Sequence, residues 1–149
     1  MKTTDKEKYL GDIINHKSNS KDTIDERIAR GNVIVFQMTA ILNHIPLGKR
    51  RTKAGIELRH AWFLNGCLFN SEIWTGISEQ DLHALEVIDH QILRLITGAH
   101  AKAPVEMLYL ETAELPIKSV IIVRRLLYTQ TILKRYKKEL TSKVYLSMK

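Results

Sequence analysis

Lys49, Arg50, Arg51 and Lys53 put four cations within five positions, a density suited to gripping the phosphates of a polyanion. Four such contacts would give a salt slope of about −3.6, which is about a hundredfold loss of affinity between 50 and 200 mM salt. Lys134, Arg135, Lys137 and Lys138 form a second cluster of the same kind. The plainer reading of each is a solvated charged segment. A basic helix over 124–138 could also lie on a membrane or a partner protein, but Arg124 and Arg125 interrupt its apolar stripe. Little else points to chemistry. His83 and His90 are seven apart, about 10.5 Å along a helix, too far to share a metal ion. Asp81, Glu86 and Asp89 read as helix-surface charges. Cys67 is the single cysteine, so it forms no internal disulfide and no cysteine-rich zinc site. Trp62, Phe63 and Trp74 could stack on bases, yet their neighbours are apolar and core packing is the expectation. Truncating Trp74 to Ala would then cost about 3–5 kcal/mol of fold stability. No residue is assigned a catalytic role, and no cofactor or metal is implied.

The net charge of +7 is unevenly spread. Residues 1–48 hold 7 basic and 6 acidic side chains, and residues 49–71 hold 5 and 1. Residues 72–114 hold 2 basic and 8 acidic, and residues 115–149 hold 9 and 1. Two basic blocks therefore flank an acidic middle, and a polyanion would be drawn to the blocks. A chain of 149 residues suits one domain. The longest aliphatic run, Val120-Ile121-Ile122-Val123, is too short to span a bilayer. Residues 1–8 lack the apolar core of a signal peptide, so an intracellular address, nuclear or cytoplasmic, is expected.

The elements that must carry these residues follow from periodicity. Residues 7–15 mix Tyr9, Leu10, Ile13 and Ile14 around Gly11 and predict one short strand. A lone strand needs a neighbour, so its partner is expected before Met1. Thr23 and Glu26 fit a capping box opening a helix with Ile24, Ile28, Gly31, Val35, Met38, Leu42 and Ile45 on one face. Gly31 in that helix implies a close neighbour, and Pro46 ends it. Residues 47–53 read as a basic linker. A second helix over 54–71, apolar nearly all round, belongs at the centre of a bundle. Ser78 to Asp81 cap a third helix, which carries Leu82, Leu85, Ile88, Ile92, Leu95 and Ile96 and stops at Gly98. Pro104 opens a short helix and Pro116 a long one, with the pattern fading beyond Arg135. The fold class is mainly α, a bundle of about four to five helices with one short N-terminal strand. Its expected parts are a strand and loop over 1–20, a helical domain over 21–136 and a basic tail over 137–149.

Three ordered motifs carry a resemblance. They are Lys8-Tyr9-Leu10-Gly11, then Phe69-Asn70-Ser71-Glu72-Ile73-Trp74, then Leu93-Arg94-Leu95-Ile96-Thr97-Gly98. Together with Leu115-Pro116-Ile117 and Arg124-Arg125-Leu126, they resemble the region after the catalytic palm in non-LTR (LINE-type) retrotransposon reverse transcriptases. Phe69 and Asn70 stand where that family usually has Tyr and Gly. The resemblance implies that Tyr9, Leu10 and Gly11 form a primer-proximal strand at the palm edge. It also implies a helical thumb lying along a template–primer duplex of RNA or DNA. Trp62, Glu72, Trp74 and Leu95 are expected in its core, with Glu72 paired to Arg59 or Arg94. No Tyr-x-Asp-Asp and no adjacent aspartates occur, so the two-metal chemistry of a polymerase has no ligands. The implied function is a non-catalytic, nucleic-acid-binding fragment, with the palm and fingers of the same polymerase as further partners and no membrane. The competing reading is a remnant or domesticated helical protein-interaction module, prone to self-association where a palm once packed.

Overall fold

A computed structural model describes residues 6–9, 12–15, 20–135, 144–145 and 147. The chain is mainly α. Residues 20–135 form five helical bodies: α1 (Lys21–Leu42), a continuous α2–π–α3 rod, α4 (Glu79–Thr97), α5 (Val105–Thr112) and α6 (Ile117–Lys134). The rod runs as α2 (Lys49–Leu58), a π-helix (Arg59–Leu64) and α3 (Asn65–Cys67).

The single N-terminal strand is corrected to a hairpin. β1 (Lys6–Tyr9) pairs antiparallel with β2 (Asp12–Asn15), Tyr9 opposite Asp12 and Lys6 opposite Asn15. Leu10 and Gly11 fall outside the described residues. Each strand thus has its neighbour within the segment itself, the inner edges of β1 and β2 pairing with one another. Two-stranded hairpins are marginal alone, and this one is tied down. Thr23 Oγ1 accepts from the Ile13 N–H at 2.8 Å, Arg27 pairs with Asp12 at 3.4 Å, and Asn70 donates to Asp12 at 2.7 Å. That use of Thr23 displaces the expected capping box. α1 begins three residues earlier, with Ser20 in the N-cap position, and the Ser20 carbonyl accepts from the Ile24 N–H.

α1 buries Ile24, Arg27, Gly31, Ile34, Met38 and Leu42, with Ile28, Val35 and Ile45 half-buried beside them. Gly31 has the close neighbour its position implied, because a Cβ there would sit 3.0 Å from Ile88 Cδ1. α4 opens on a capping box in which Ser78 and Asp81 exchange hydrogen bonds. It closes on Gly98 at φ 72°, a left-handed position natural to glycine. Leu82, Leu85, Ile88, Ile92 and Ile96 face the core as expected.

The centre of the bundle is α4, which touches α1, α2, α5 and α6. The greasy rod expected there lies to one side, leaving Phe69 at its end exposed. The rod also starts earlier than expected, because Lys49 to Lys53 are already helical. Its π-turn is one residue wider than an α-turn. That widening keeps Gly55, Arg59, Phe63 and Cys67 on a single buried row.

Gly55 is where α2 comes closest to α4. A Cβ at that position would lie 2.5 Å from Ile96 Cγ1 and 3.2 Å from its branched Cβ, which cannot swing away. Gly55→Ala gains about 1 kcal/mol of helix propensity, but overpacking costs about 1–3 kcal/mol. We expect a net loss of stability in urea unfolding. A variant more stable than the parent would show that the two helices can part without penalty.

Candidate functional site

The four cations at the start of α2 divide into three that face water and one that does not. Lys49, Arg50 and Lys53 are exposed, and among the described residues no ion pair holds them. Arg51 is only 8% exposed. Its guanidinium donates to the Leu95 carbonyl at 2.8 and 3.2 Å and to the Ile45 carbonyl at 3.2 Å. It therefore fastens the first turn of α2 to the last turn of α4 and to the bend that follows α1, and is corrected from a phosphate contact to an anchor. The first turn carries no acidic residue and no side-chain cap, so the positive end of the helix dipole adds to the three exposed cations. A groove runs beside this turn between Lys49, Thr52, Lys53 and Ile56, bounded by Glu57 and Glu111.

In the second cluster, Lys134 and Arg135 are exposed at the end of α6, while Lys137 and Lys138 lie outside the described residues. Arg124 and Arg125 face inward. Arg124 donates to the carbonyls of Leu64 and Leu68 at the end of the rod, and Arg125 to that of Trp74 at 3.0 Å. Cations on the last carbonyls of a helix satisfy orphan acceptors and oppose its negative end. Arg124 interrupts the apolar stripe of α6 for this purpose, and Arg125 does so to hold the loop at Trp74.

The residues expected in the core are there to different degrees. Trp74 is buried, while Trp62 and Leu95 are half-buried against the core. Glu72 is half-buried beside Tyr128, lining two neighbouring grooves. It pairs with neither arginine proposed for it. Arg94 donates to the Ala103 carbonyl, and Arg59 is committed elsewhere. Burial pushes the Cys67 thiol up to about 11, so it stays protonated at neutral pH.

Arg59 anchors the buried polar cluster that sequence reasoning missed. It is fully buried, as is Asp89, and the two form a bidentate pair at 2.7 and 2.9 Å. Glu114 binds the other side of the guanidinium, and the Leu115 carbonyl accepts from it at 3.3 Å. His60 lies 2.8 Å from Glu114 at the rim. Tyr109 donates its hydroxyl to Asp89 at 3.2 Å, and His90 Nε2 lies 3.1 Å from that hydroxyl. The phenol has one proton, which the carboxylate takes, so His90 Nε2 must carry a hydrogen to complete the pair. Burial and the Asp89 charge push the Tyr109 phenol far up, and burial holds His90 below the ordinary imidazole value. Asp89 is thus corrected from a surface charge to the centre of the core. The signal was present, because 82, 85, 89, 92 and 96 form one helical stripe and Asp89 occupies a core position on it.

This cluster couples three elements but offers little to a substrate, since Arg59 and Asp89 are sealed from solvent. Among the described residues no group of three or more His, Cys, Asp or Glu could hold a metal ion. No described helix is long and apolar enough to cross a membrane. Comparison with known proteins finds no matching family model, no matching curated protein and no matching solved structure.

Arg59→Met alone should cost about 3–5 kcal/mol, because it strands a buried carboxylate. Adding Asp89→Leu should recover much of that loss in a denaturant double-mutant cycle; a single variant as stable as the parent contradicts this. His90 gives a pH signature. Its folded pKa lies below the unfolded value of about 6.5, so the unfolded chain takes the proton first. The associated stability is complete above pH about 6.5 and is lost as pH falls through the lowered folded value. His90→Gln should flatten unfolding free energy against pH in that window, and an unchanged slope would assign the acid sensitivity elsewhere.

Proposed function

We propose that this chain is a non-catalytic, thumb-like piece of a non-LTR retrotransposon reverse transcriptase that grips a template–primer duplex by its phosphates. The observation that carries the reading is the cationic turn at the start of α2. Lys49, Arg50 and Lys53 project into water there, while Arg51 holds their backbone in place. Cations fixed in position before binding lose less freedom on contact than cations on a loose linker. The order of the Tyr-Leu-Gly, Glu-x-Trp and Leu-Arg-x-Ile motifs supports the particular family, and the mainly helical build is compatible with it.

Phosphate contacts carry no sequence information, so binding should be sensitive to salt and indifferent to base sequence. With Arg51 withdrawn, the turn supplies three contacts, giving a slope of about −2.7 and about a fortyfold loss between 50 and 200 mM salt. Fluorescence anisotropy with an RNA–DNA duplex should show this. The combined Lys49→Ala, Arg50→Ala, Lys53→Ala variant should remove most of the slope without lowering thermal stability. A variant that binds as its parent does would overturn the assignment. Robust primer extension by the purified chain with magnesium would overturn the non-catalytic reading.

A further inference from the structure

α5 and α6 present surfaces of opposite character. α6 leaves Ile122, Val123, Leu126, Leu127 and Leu133 open to water, Leu126 by 64%. Its charged residues, Lys118, Arg124, Arg125 and Lys134, are all basic. The two arginines turn inward onto backbone carbonyls, which leaves Lys118 and Lys134 exposed at either end of the aliphatic row. α5 exposes Met107 and Leu110, the latter by 76%, and its own charged residues are the exposed acids Glu106 and Glu111.

Apolar rows this open mark contact surfaces, and charge selects what covers them. The chain beyond α6 carries Lys137, Lys138, Lys143 and Lys149 against Glu139, the same sign as α6. A second α6 is equally mismatched, since it too is basic throughout. The α5 of a second copy is complementary in both respects: aliphatic at its crest and acidic beside it. We propose that the chain self-associates through unlike faces, the exposed row of α6 in one copy laid over Met107 and Leu110 of α5 in the next. The lysines of α6 then approach Glu106 and Glu111 of that copy. Such a contact is heterologous, each copy offering one donor face and one acceptor face. It uses none of Lys49, Arg50 or Lys53, although Glu111 borders the groove beside Lys49 and Lys53.

Sedimentation velocity over a wide range of concentration tests it. The wild-type chain should gain mass with concentration and lose it as salt rises. Leu126→Glu and Leu110→Glu change exposed residues on different helices, and each should leave the chain monomeric with an unchanged melting curve. Mixed together, they should form a one-to-one dimer, because each retains the face the other lacks. A wild-type chain that stays monomeric throughout overturns the proposal. So does association that Leu110→Glu leaves untouched, which would mean α6 pairs with α6, or a mixture that fails to dimerise. A monomer that instead sediments with vesicles of anionic phospholipid, and loses this on Leu126→Glu, would assign the row to a lipid surface and overturn it equally.

Discussion

A guanidinium sealed in the middle of the bundle sets what the rest of the chain can do. Arg59 has no exposure to water, so its charge must be neutralised and each donor occupied by protein. Asp89 on α4 supplies two acceptors, and Glu114 with the Leu115 carbonyl on the α5–α6 turn supplies the others. Three separate elements must therefore meet at one point, in one register, or a buried charge is left stranded. Apolar packing between the same helices would tolerate small slides and rotations. An ion pair with two parallel hydrogen bonds tolerates neither, which is how one residue fixes the rod against α4 and the start of α6 against both. Tyr109 extends the constraint to α5 by donating to Asp89, and His90 on α4 holds the Tyr109 hydroxyl in turn.

The same principle recurs at some helix ends and in the loops that join helices. Arg27, Arg51, Arg94, Arg124 and Arg125 each donate to a backbone carbonyl, at Gly66, Leu95, Ala103, Leu68 and Trp74 respectively. Arginine suits this because its fork spans two acceptors and its weakly hydrated charge tolerates burial better than an ammonium does. The net charge of +7 accordingly overstates the cationic surface. Much of it lies inside as mortar between helix ends, while Lys49, Lys53, Lys118 and Lys134 remain outside. Among the described residues a polyanion meets Arg30, Arg50 and Arg135 beside these lysines.

The helices were legible because their signals are local. Ser78, Gly98, Pro104 and Pro116 each act through the backbone of their own turn, and each marks an observed helix boundary. The hairpin was not legible, because one run of β-formers reads alike whether it continues or folds back on itself. Arg51 and Asp89 were misread for a different reason. Like Arg27 and Arg59, they occupy core positions of their stripes, at 24-27-31-34, at 51-55-59 and at 82-85-89-92. Residue type suggested a surface, position said interior, and position won because partners across the bundle compensate the charge. Those partners are between thirty and fifty-five residues away for Arg59, beyond the reach of any periodicity argument. The central place of α4 was hidden similarly, since overall greasiness favoured the rod while the contacts were decided by tertiary pairing.

These two uses of charge bear directly on how the exposed cations can act. A lysine on a mobile linker meets a phosphate at the cost of ordering both its own side chain and the backbone beneath it. Here the backbone is ordered already. Arg51 ties the first turn of α2 to the end of α4 and to the bend that follows α1, and Leu47 packs so closely over Gly98 that a Cβ there would lie 2.5 Å from its methyl group. The residue that looked like one more phosphate contact is therefore worth more as an anchor. It gives up its own charge to the interior and in return presents Lys49, Arg50 and Lys53 on a rigid helical turn, at the end where the backbone dipole has the same sign.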